Sequence, residues 1–324
     1  MRRYERQMIL PIIGTCGQDR LADAHILIIG AGGLAATSLP LLAGAGIGRL
    51  TIMDGDQIEL SNLHRQTLFN ENCIGRSKAE VAAEQCRALN SEIVIDSIPQ
   101  NLSPANVSQY TKADLILDCA DSYAVSYTLS DFCLANKVPL ISASALGLSG
   151  YVGGFCGSAP SLRAVFPQAP ESGASCSTSG VLGPLVSVLG AMQAQMAFNH
   201  LLAIDSPPLG CLIRYDGLDC TTSSFRFDDA TEPQSYFRFS APDLLSDSDF
   251  IVDLREITES INLIDPRAQR IPARELTSLR DISPKGCSRR LALCCATGLR
   301  AWRIAERFHN QWPGDIVLVA ASAS

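Results

Sequence analysis

The sequence predicts an α/β protein in which a Rossmann-like, doubly wound sheet is followed by a smaller α/β module. Three observations carry that expectation. An apolar run ends at Gly30, strand-length apolar runs alternate with helical stretches over the first two thirds, and a fresh strand pattern follows a polar stretch near residue 240. Residues 25–30 are apolar on both faces of a strand, which suits a buried parallel strand. Small residues and then residues 39–43 fit a helix packed closely against it. Further strands are expected at 50–54, 93–96, 115–118 and 138–142, with helices over 78–89 and 183–202. From 227 to 249 Asp, Ser, Pro and Glu dominate, which predicts a linker, so the domains are expected at 1–240 and 241–324. The second is expected to hold strands at 250–253, 290–294 and 316–319 and a helix at 301–308. No internal repeat is evident.

The composition narrows the function. The chain has 324 residues, 47% hydrophobic and 18% charged, enough to bury a core. A net charge of −7 is the wrong sign for nucleic acid. Neither a signal peptide nor an apolar run of membrane-spanning length is present, so a cytoplasmic location is expected. The 12 cysteines are scattered and none has Cys-x-x-Cys spacing, which predicts free thiols and no structural zinc. His25, His64, His200 and His309 are isolated and form no ligand pair.

Gly30-x-Gly32-x-x-Ala35 lies between an expected strand and an expected helix, the context of a nucleotide-binding turn. Gly30 would permit the turn, Gly32 would let phosphate or ribose approach the backbone, and the helix N-terminus would offer free N–H groups. Asp54 ends the next strand, placed to accept from a ribose hydroxyl. These features do not separate NAD from ATP. The stretch from Asp54 through Asp56, Ser61 and Asn62 to Arg65 does. A dehydrogenase has no use for an arginine there, whereas a triphosphate needs its charge neutralised by Arg65 and the later Lys78.

Arg3-Tyr4-x-Arg6-Gln7-x-Ile9-Leu10, the glycine loop, Leu60-Ser61-Asn62-Leu63-x-Arg65-Gln66 and Leu117-Asp118-Cys119-Ala120-Asp121 together resemble the ThiF/MoeB/HesA family, bacterial relatives of ubiquitin-activating enzymes. The resemblance runs over about residues 3–225. It implies that Gly30, Gly32, Gly33, Asp54, Asp56, Ser61, Asn62, Arg65, Lys78 and Ser122 surround ATP, and that Asp121 positions Mg2+. It also implies a homodimer in which Arg6 reaches the neighbouring subunit's site. Ser122 stands where relatives often have Asn. Most members also carry two Cys-x-x-Cys pairs for one zinc. Here Ser161 and Ala164 replace the first pair, and nothing after Arg226-Phe227 supplies the second. Zinc is therefore not expected, and packing alone is expected to hold that region.

Two cysteines are candidates for chemistry. Cys176 lies in a polar stretch and aligns with a loop cysteine that some members use as a thiol acceptor and others lack. Cys295 opens Cys295-Ala296-Thr297-Gly298-Leu299-Arg300, which resembles the active-site loop of rhodanese domains. A helix N-terminus and Arg300 there would stabilise a persulfide anion. Val252-Asp253-Leu254-Arg255-Glu256 and Ile271-Pro272 resemble further rhodanese motifs, so a short rhodanese-like module is expected over about residues 248–321. The function implied is adenylation of the C-terminal glycine of a ubiquitin-like sulfur carrier ending in Gly-Gly. Sulfur from a desulfurase or thiosulfate would then pass through Cys295 to give a thiocarboxylate. The alternatives are a peptide-adenylating or cyclising enzyme of the same family and, from another class, an NAD-dependent dehydrogenase.

Overall fold

Burial on both faces organises the first sheet. The computed structural model describes residues 3–169, 180–278, 282 and 290–321. Strands β1 (His25–Ile29), β2 (Arg49–Met53), β3 (Val94–Ile98), β4 (Leu115–Asp118) and β5 (Pro139–Leu146) run parallel in the order β3-β2-β1-β4-β5. Along β1, Ile26 and Ile28 enter one apolar cluster while Leu27 and Ile29 enter another, so the strand after His25 is apolar on both faces. Helices α1 (Glu5–Met8) and α2 (Gly14–Asp23) precede the sheet. Helices α3 (Gly33–Ala45), α4 (Lys78–Leu89) and α7 (Gly183–Leu201) contribute to the Ile26 cluster, and α5 (Tyr123–Asn136) to the Leu27 cluster. The expected doubly wound architecture is the observed one.

Three antiparallel strands extend this sheet: β6 (Ser149–Cys156), β7 (Cys211–Asp216) and β8 (Thr221–Arg226). The sequence reading has no counterpart for them. β6 is interrupted by Gly150, Gly153 and Gly154, and β8 is exposed along its length, so neither shows an apolar run.

The second sheet is parallel throughout, in the order β11-β10-β12-β13-β9. Its strands are β9 (Arg238–Ser240), β10 (Phe250–Asp253), β11 (Gln269–Arg270), β12 (Leu291–Cys295) and β13 (Ile316–Ala320). Helix α8 (Leu299–Phe308) buries Trp302, Ala305 and Phe308 against it. The stretch expected as a linker is thus partly strand, and it lies on the near side of the expected boundary. Three residues are too few to display a period; β9 exists because β13 offers a free edge. β12 also runs one residue further than expected, so Cys295 is the last strand residue, opposite Ala320, rather than the first of a loop. The two sheets share a core, since Leu129, Leu140 and Phe155 belong to the same cluster as Phe239, Leu293, Trp302 and Leu318.

The region from which the zinc cysteines are missing is not held by packing alone, which corrects that expectation. Ser161 caps the short helix α6 (Leu162–Val165) by accepting from the N–H groups of Arg163 and Ala164 at 3.1 and 3.3 Å. Its hydroxyl and its N–H also donate to the Glu232 carboxylate, both at 2.6 Å. Beside it Arg163, only 2% exposed, makes a bidentate pair with Asp131 at 2.6 and 3.0 Å and donates to the Phe237 carbonyl at 3.1 Å. A hydroxyl–carboxylate clasp and an ion pair with a buried arginine bridge these segments. Among the described residues no helix is long and apolar enough to cross a membrane, and the ten cysteines there are free.

Candidate active site

Where β1, β2 and β4 end, the connecting segments surround a cavity of about 690 Å³. Position explains it: in a parallel sheet the strand order reverses between β1 and β4, leaving a crevice beyond their C-terminal ends. Gly30 has φ +92°, and a Cβ there would lie 2.8 Å from the Cys119 carbonyl oxygen, so only glycine lets the two strand ends close up. Gly32 is different. A Cβ there would meet nothing nearer than Gln66 Nε2 at 3.7 Å, so the bare backbone leaves room in the cavity rather than relieving a clash. The first N–H groups of α3, which starts at Gly33, have no helical acceptor and suit an anion.

Asp54 shapes the rim. One carboxylate oxygen accepts from the Ala31 N–H at 2.7 Å and the other from the Asp56 N–H at 2.8 Å. Burial raises its pKa, with those two N–H groups and the charge of Lys78 working against the rise. Asp54 therefore ties the glycine loop to the segment after β2 and keeps lone pairs for a hydroxyl ligand. Lys78, the first residue of α4, is itself buried with its Nζ 2.7 Å from Asp56 Oδ2. Arg65 lines the cavity with its Nη1 held by the Ser61 carbonyl at 3.1 Å. Asn62 is buried and spends its Oδ1 on the Glu59 N–H at 3.2 Å, which fixes the turn that aims Arg65.

At the other side of the crevice Asp121 is exposed into the cavity beyond β4. Two lining side chains carry buried polar atoms without a protein partner, Gln66 Oε1 and Ser122 Oγ. Buried polar atoms are nearly always satisfied, so these two stand out beside the cavity, although neither atom reaches its surface. Two cations and free helix N–H groups as donors, with a carboxylate that accepts from hydroxyls, form a set that fits a nucleoside triphosphate. A single carboxylate, Asp121, at that place fits Mg2+, which takes few protein ligands and completes its shell with phosphate and water.

Residues 4–236 match the family model described as the ThiF family. The chain belongs to that family. It is 39% identical over 220 residues to the adenylyltransferase and sulfurtransferase MOCS3-1 of Zea mays, covering 67% of this chain and 47% of that one. It is 36% identical to the molybdopterin-synthase adenylyltransferase of Escherichia coli (strain K12), covering 68% of this chain and 90% of the relative. The sulfur carrier protein adenylyltransferase of Thermus thermophilus is also 36% identical, with coverage of 69% and 85%. The chain spans about half the length of the MOCS3 relatives it matches. Among solved structures, Escherichia coli MccB with MccA-N7isoASN superposes with a TM-score of 0.64 at 24% identity, covering 72% of this chain and 74% of that one. At that identity the likeness is one of fold.

The ThiF-family chain brings most of the expected residues together. Gly30, Gly32, Gly33, Asp54, Asp56, Asn62, Arg65, Lys78, Asp121 and Ser122 all line the one cavity. Ser61 does not; its hydroxyl donates to Glu59 at 3.0 Å, and its contribution is the carbonyl that tethers Arg65. Arg6 is exposed on α1 and is not among the lining residues. Cys176 lies outside the described residues. Cys295 ends β12 and Arg300 lies in α8, both away from the cavity lining. Cys295 is fully buried, with the Gly298 N–H donating to its sulfur at 3.1 Å, while Arg300 is held by Glu259 at 2.5 and 2.8 Å. Sequence reasoning missed Gln66 as a site residue although it ends a quoted motif. It also missed Tyr123, Tyr127, Tyr151 and Phe166, which wall the far half of the cavity and look like ordinary core aromatics in the sequence.

Asp118 lies beneath this floor. It is completely buried and accepts from Ser142 Oγ at 2.7 Å and the Ala120 N–H at 3.2 Å. Burial pushes its carboxyl up to about 6 despite those hydrogen bonds. Its folded value exceeds its unfolded one, so the ionised carboxylate opposes folding above about pH 6, and the opposition fades as the pH falls toward the unfolded value. Asp118→Asn keeps the shape and can donate to Ser142. It is expected to exceed wild type in stability by on the order of 2 kcal/mol at pH 7.5, and by much less near pH 4.5. Urea denaturation at the two pH values checks this; an equal difference at both would mean the charge is not the cause.

Proposed function

We propose that this chain activates the C-terminal carboxylate of a small ubiquitin-like sulfur carrier ending in Gly-Gly by transferring AMP to it from ATP. The single observation that carries the reading is the convergence of Asp54, Asn62, Arg65, Lys78 and Asp121 on one cavity at the β1/β4 crevice. The names of the 36–39% identical relatives support it. A carboxylate oxygen attacks the α-phosphorus, the bond to the bridging oxygen of pyrophosphate breaks, and an acyl-adenylate remains. Two anions must be brought together, so the task is neutralisation and alignment rather than covalent chemistry. Arg65 and Lys78 supply positive charge, and Asp54 orients the ribose. Magnesium held at Asp121 would neutralise phosphate charge. The exposed apolar residues Ile9, Leu10 and Ile12 beside Arg6 support a homodimer, with Arg6 directed to the partner's site, and the setting proposed is cytoplasmic. ATP–pyrophosphate exchange with carriers ending in Gly-Gly tests the reading; no exchange with any of them sinks it.

For the second module we propose a rhodanese-like domain over residues 241–324, with Cys295 carrying sulfur to the adenylate. The loop supports this through the Gly298 N–H on the thiol and the neighbouring N-terminus of α8. Cys295 takes a sulfane sulfur from a desulfurase or thiosulfate, and the persulfide attacks the acyl carbon as AMP leaves. A thiol reductant then cleaves the disulfide to release the thiocarboxylate. Because the thiol is buried, this loop must open for the donor. After thiosulfate treatment, intact mass is expected to rise by one sulfur, mapping to Cys295 and absent in Cys295→Ser. A gain that maps elsewhere would overturn the assignment.

A further inference from the structure

Beyond Asp121 the cavity continues along the end of β5 and the start of β6, and its walls change character. Tyr127 from α5, Tyr151 from β6, Leu162 from α6 and the following Phe166 line this half. The cations Arg65 and Lys78 stand on the nucleotide side. The aromatic wall is braced from behind by the C-terminal module. Tyr127 donates its hydroxyl to the Phe166 carbonyl at 2.7 Å, and Trp302 of α8 meets the Tyr127 ring edge-on, with centroids 4.7 Å apart at 86°. Arg163, next to the wall residue Leu162, lies 4.9 Å above the Tyr127 ring and 5.7 Å above Trp302. Its Nη2 donates to the carbonyl of Phe237, just before β9. Three residues past Phe166, the Ala169 N–H donates to the Glu306 carboxylate of α8 at 3.1 Å.

We propose that α8 sets the acyl-side wall of the adenylation cavity, with Trp302 and Glu306 as positioning residues for the carboxylate substrate, a role separate from sulfur transfer. The proposal rests on the adenylation reading for its substrate, though not for the wall itself. Its physical basis is preorganisation. Tyr127 and Phe166 are held to each other, Tyr127 packs on Trp302 and the segment just after Phe166 is tied to Glu306, so the compartment has one shape before substrate arrives. The nucleotide half is built from the ends of β1 and β2 and the start of α4, and none of its hydrogen bonds described above involves α8. Disturbing α8 should therefore separate the two substrates.

The test uses the full chain with Trp302→Ala, Trp302→Phe and Glu306→Ala. In ATP–pyrophosphate exchange, Trp302→Ala is expected to raise the KM for the carrier roughly tenfold and to leave the KM for ATP within about twofold. Glu306→Ala is expected to raise the carrier KM roughly threefold, and Trp302→Phe to recover most of the loss by keeping a ring edge on Tyr127. Without any acyl substrate, amide hydrogen exchange in Glu306→Ala should quicken over residues 162–169 and stay unchanged over residues 26–34. Equal movement of both KM values, movement of neither, or exchange that quickens everywhere would overturn the proposal. Should Trp302→Ala fail to fold, Trp302→Phe and the exposed Glu306 decide it. Should wild type activate no carboxylate at all, the adenylation reading fails, while the hydrogen-exchange pattern still decides whether α8 holds the wall.

Discussion

Asp121→Ala is expected to lower ATP–pyrophosphate exchange by about 100- to 1,000-fold, the usual consequence of removing one preorganised group that stabilises transition-state charge. Asp121 follows β4, whose buried residues fix the direction in which the chain enters the cavity, and it stands exposed where the nucleotide half meets the aromatic half. On the adenylation reading proposed above, the carboxylate would approach the α-phosphorus past this point, and a metal held there would neutralise both anions. The Lys78–Asp56 pair and the Ala31–Asp54 hydrogen bond lie on the other rim, so nucleotide affinity should change far less than turnover. Equilibrium titration with ATP alongside the exchange assay separates the two. If Asp121→Ala keeps a tenth or more of the wild-type rate, the proposed role of Asp121 fails, and Asp54, Asp56 and Glu59 are the remaining carboxylates on the cavity.

The largest expected effect on stability belongs to Arg163. Arg163→Ala should destabilise the fold by about 3 kcal/mol, because it leaves the mostly buried Asp131 carboxylate and the Phe237 carbonyl without this donor. Even with Arg163 in place, burial holds the Asp131 pKa above the ordinary carboxylate value, the guanidinium offsetting only part of it. Without the arginine, protonation is favoured further. The loss should thus be greatest at neutral pH and shrink in mild acid as the carboxyl takes up a proton. The urea midpoint measured at about pH 7.5 and pH 5 gives the answer. A loss independent of pH would mean that the cavity and the lost ring contacts with Tyr127 and Tyr236 dominate instead.

The gathering of the expected residues on one cavity was legible before any coordinates, because it is local. Gly30, Asp54, Lys78 and Asp121 each sit where an apolar strand ends or a helix begins, and parallel strands deliver their C-terminal ends to one edge. The loss of the zinc cysteines was legible too. That Glu232 clasps Ser161 was not, since 71 residues separate them and neither has a motif. The same holds for β9, whose three residues have no period until β13 pairs with them. Cys295 shows the limit most sharply: Cys-x-x-Gly-x-Arg names a loop, yet only the packing reveals that its sulfur is covered and that Arg300 is engaged by Glu259. By itself the sequence determined the doubly wound sheet and singled out the strand-end carboxylates and the cations that line one half of the cavity. Tertiary structure alone decided the aromatic half and its brace by Trp302, because residues 127, 151, 166 and 302 meet only through a core shared by two sheets. Contacts between distant apolar side chains leave no spacing in the chain to read.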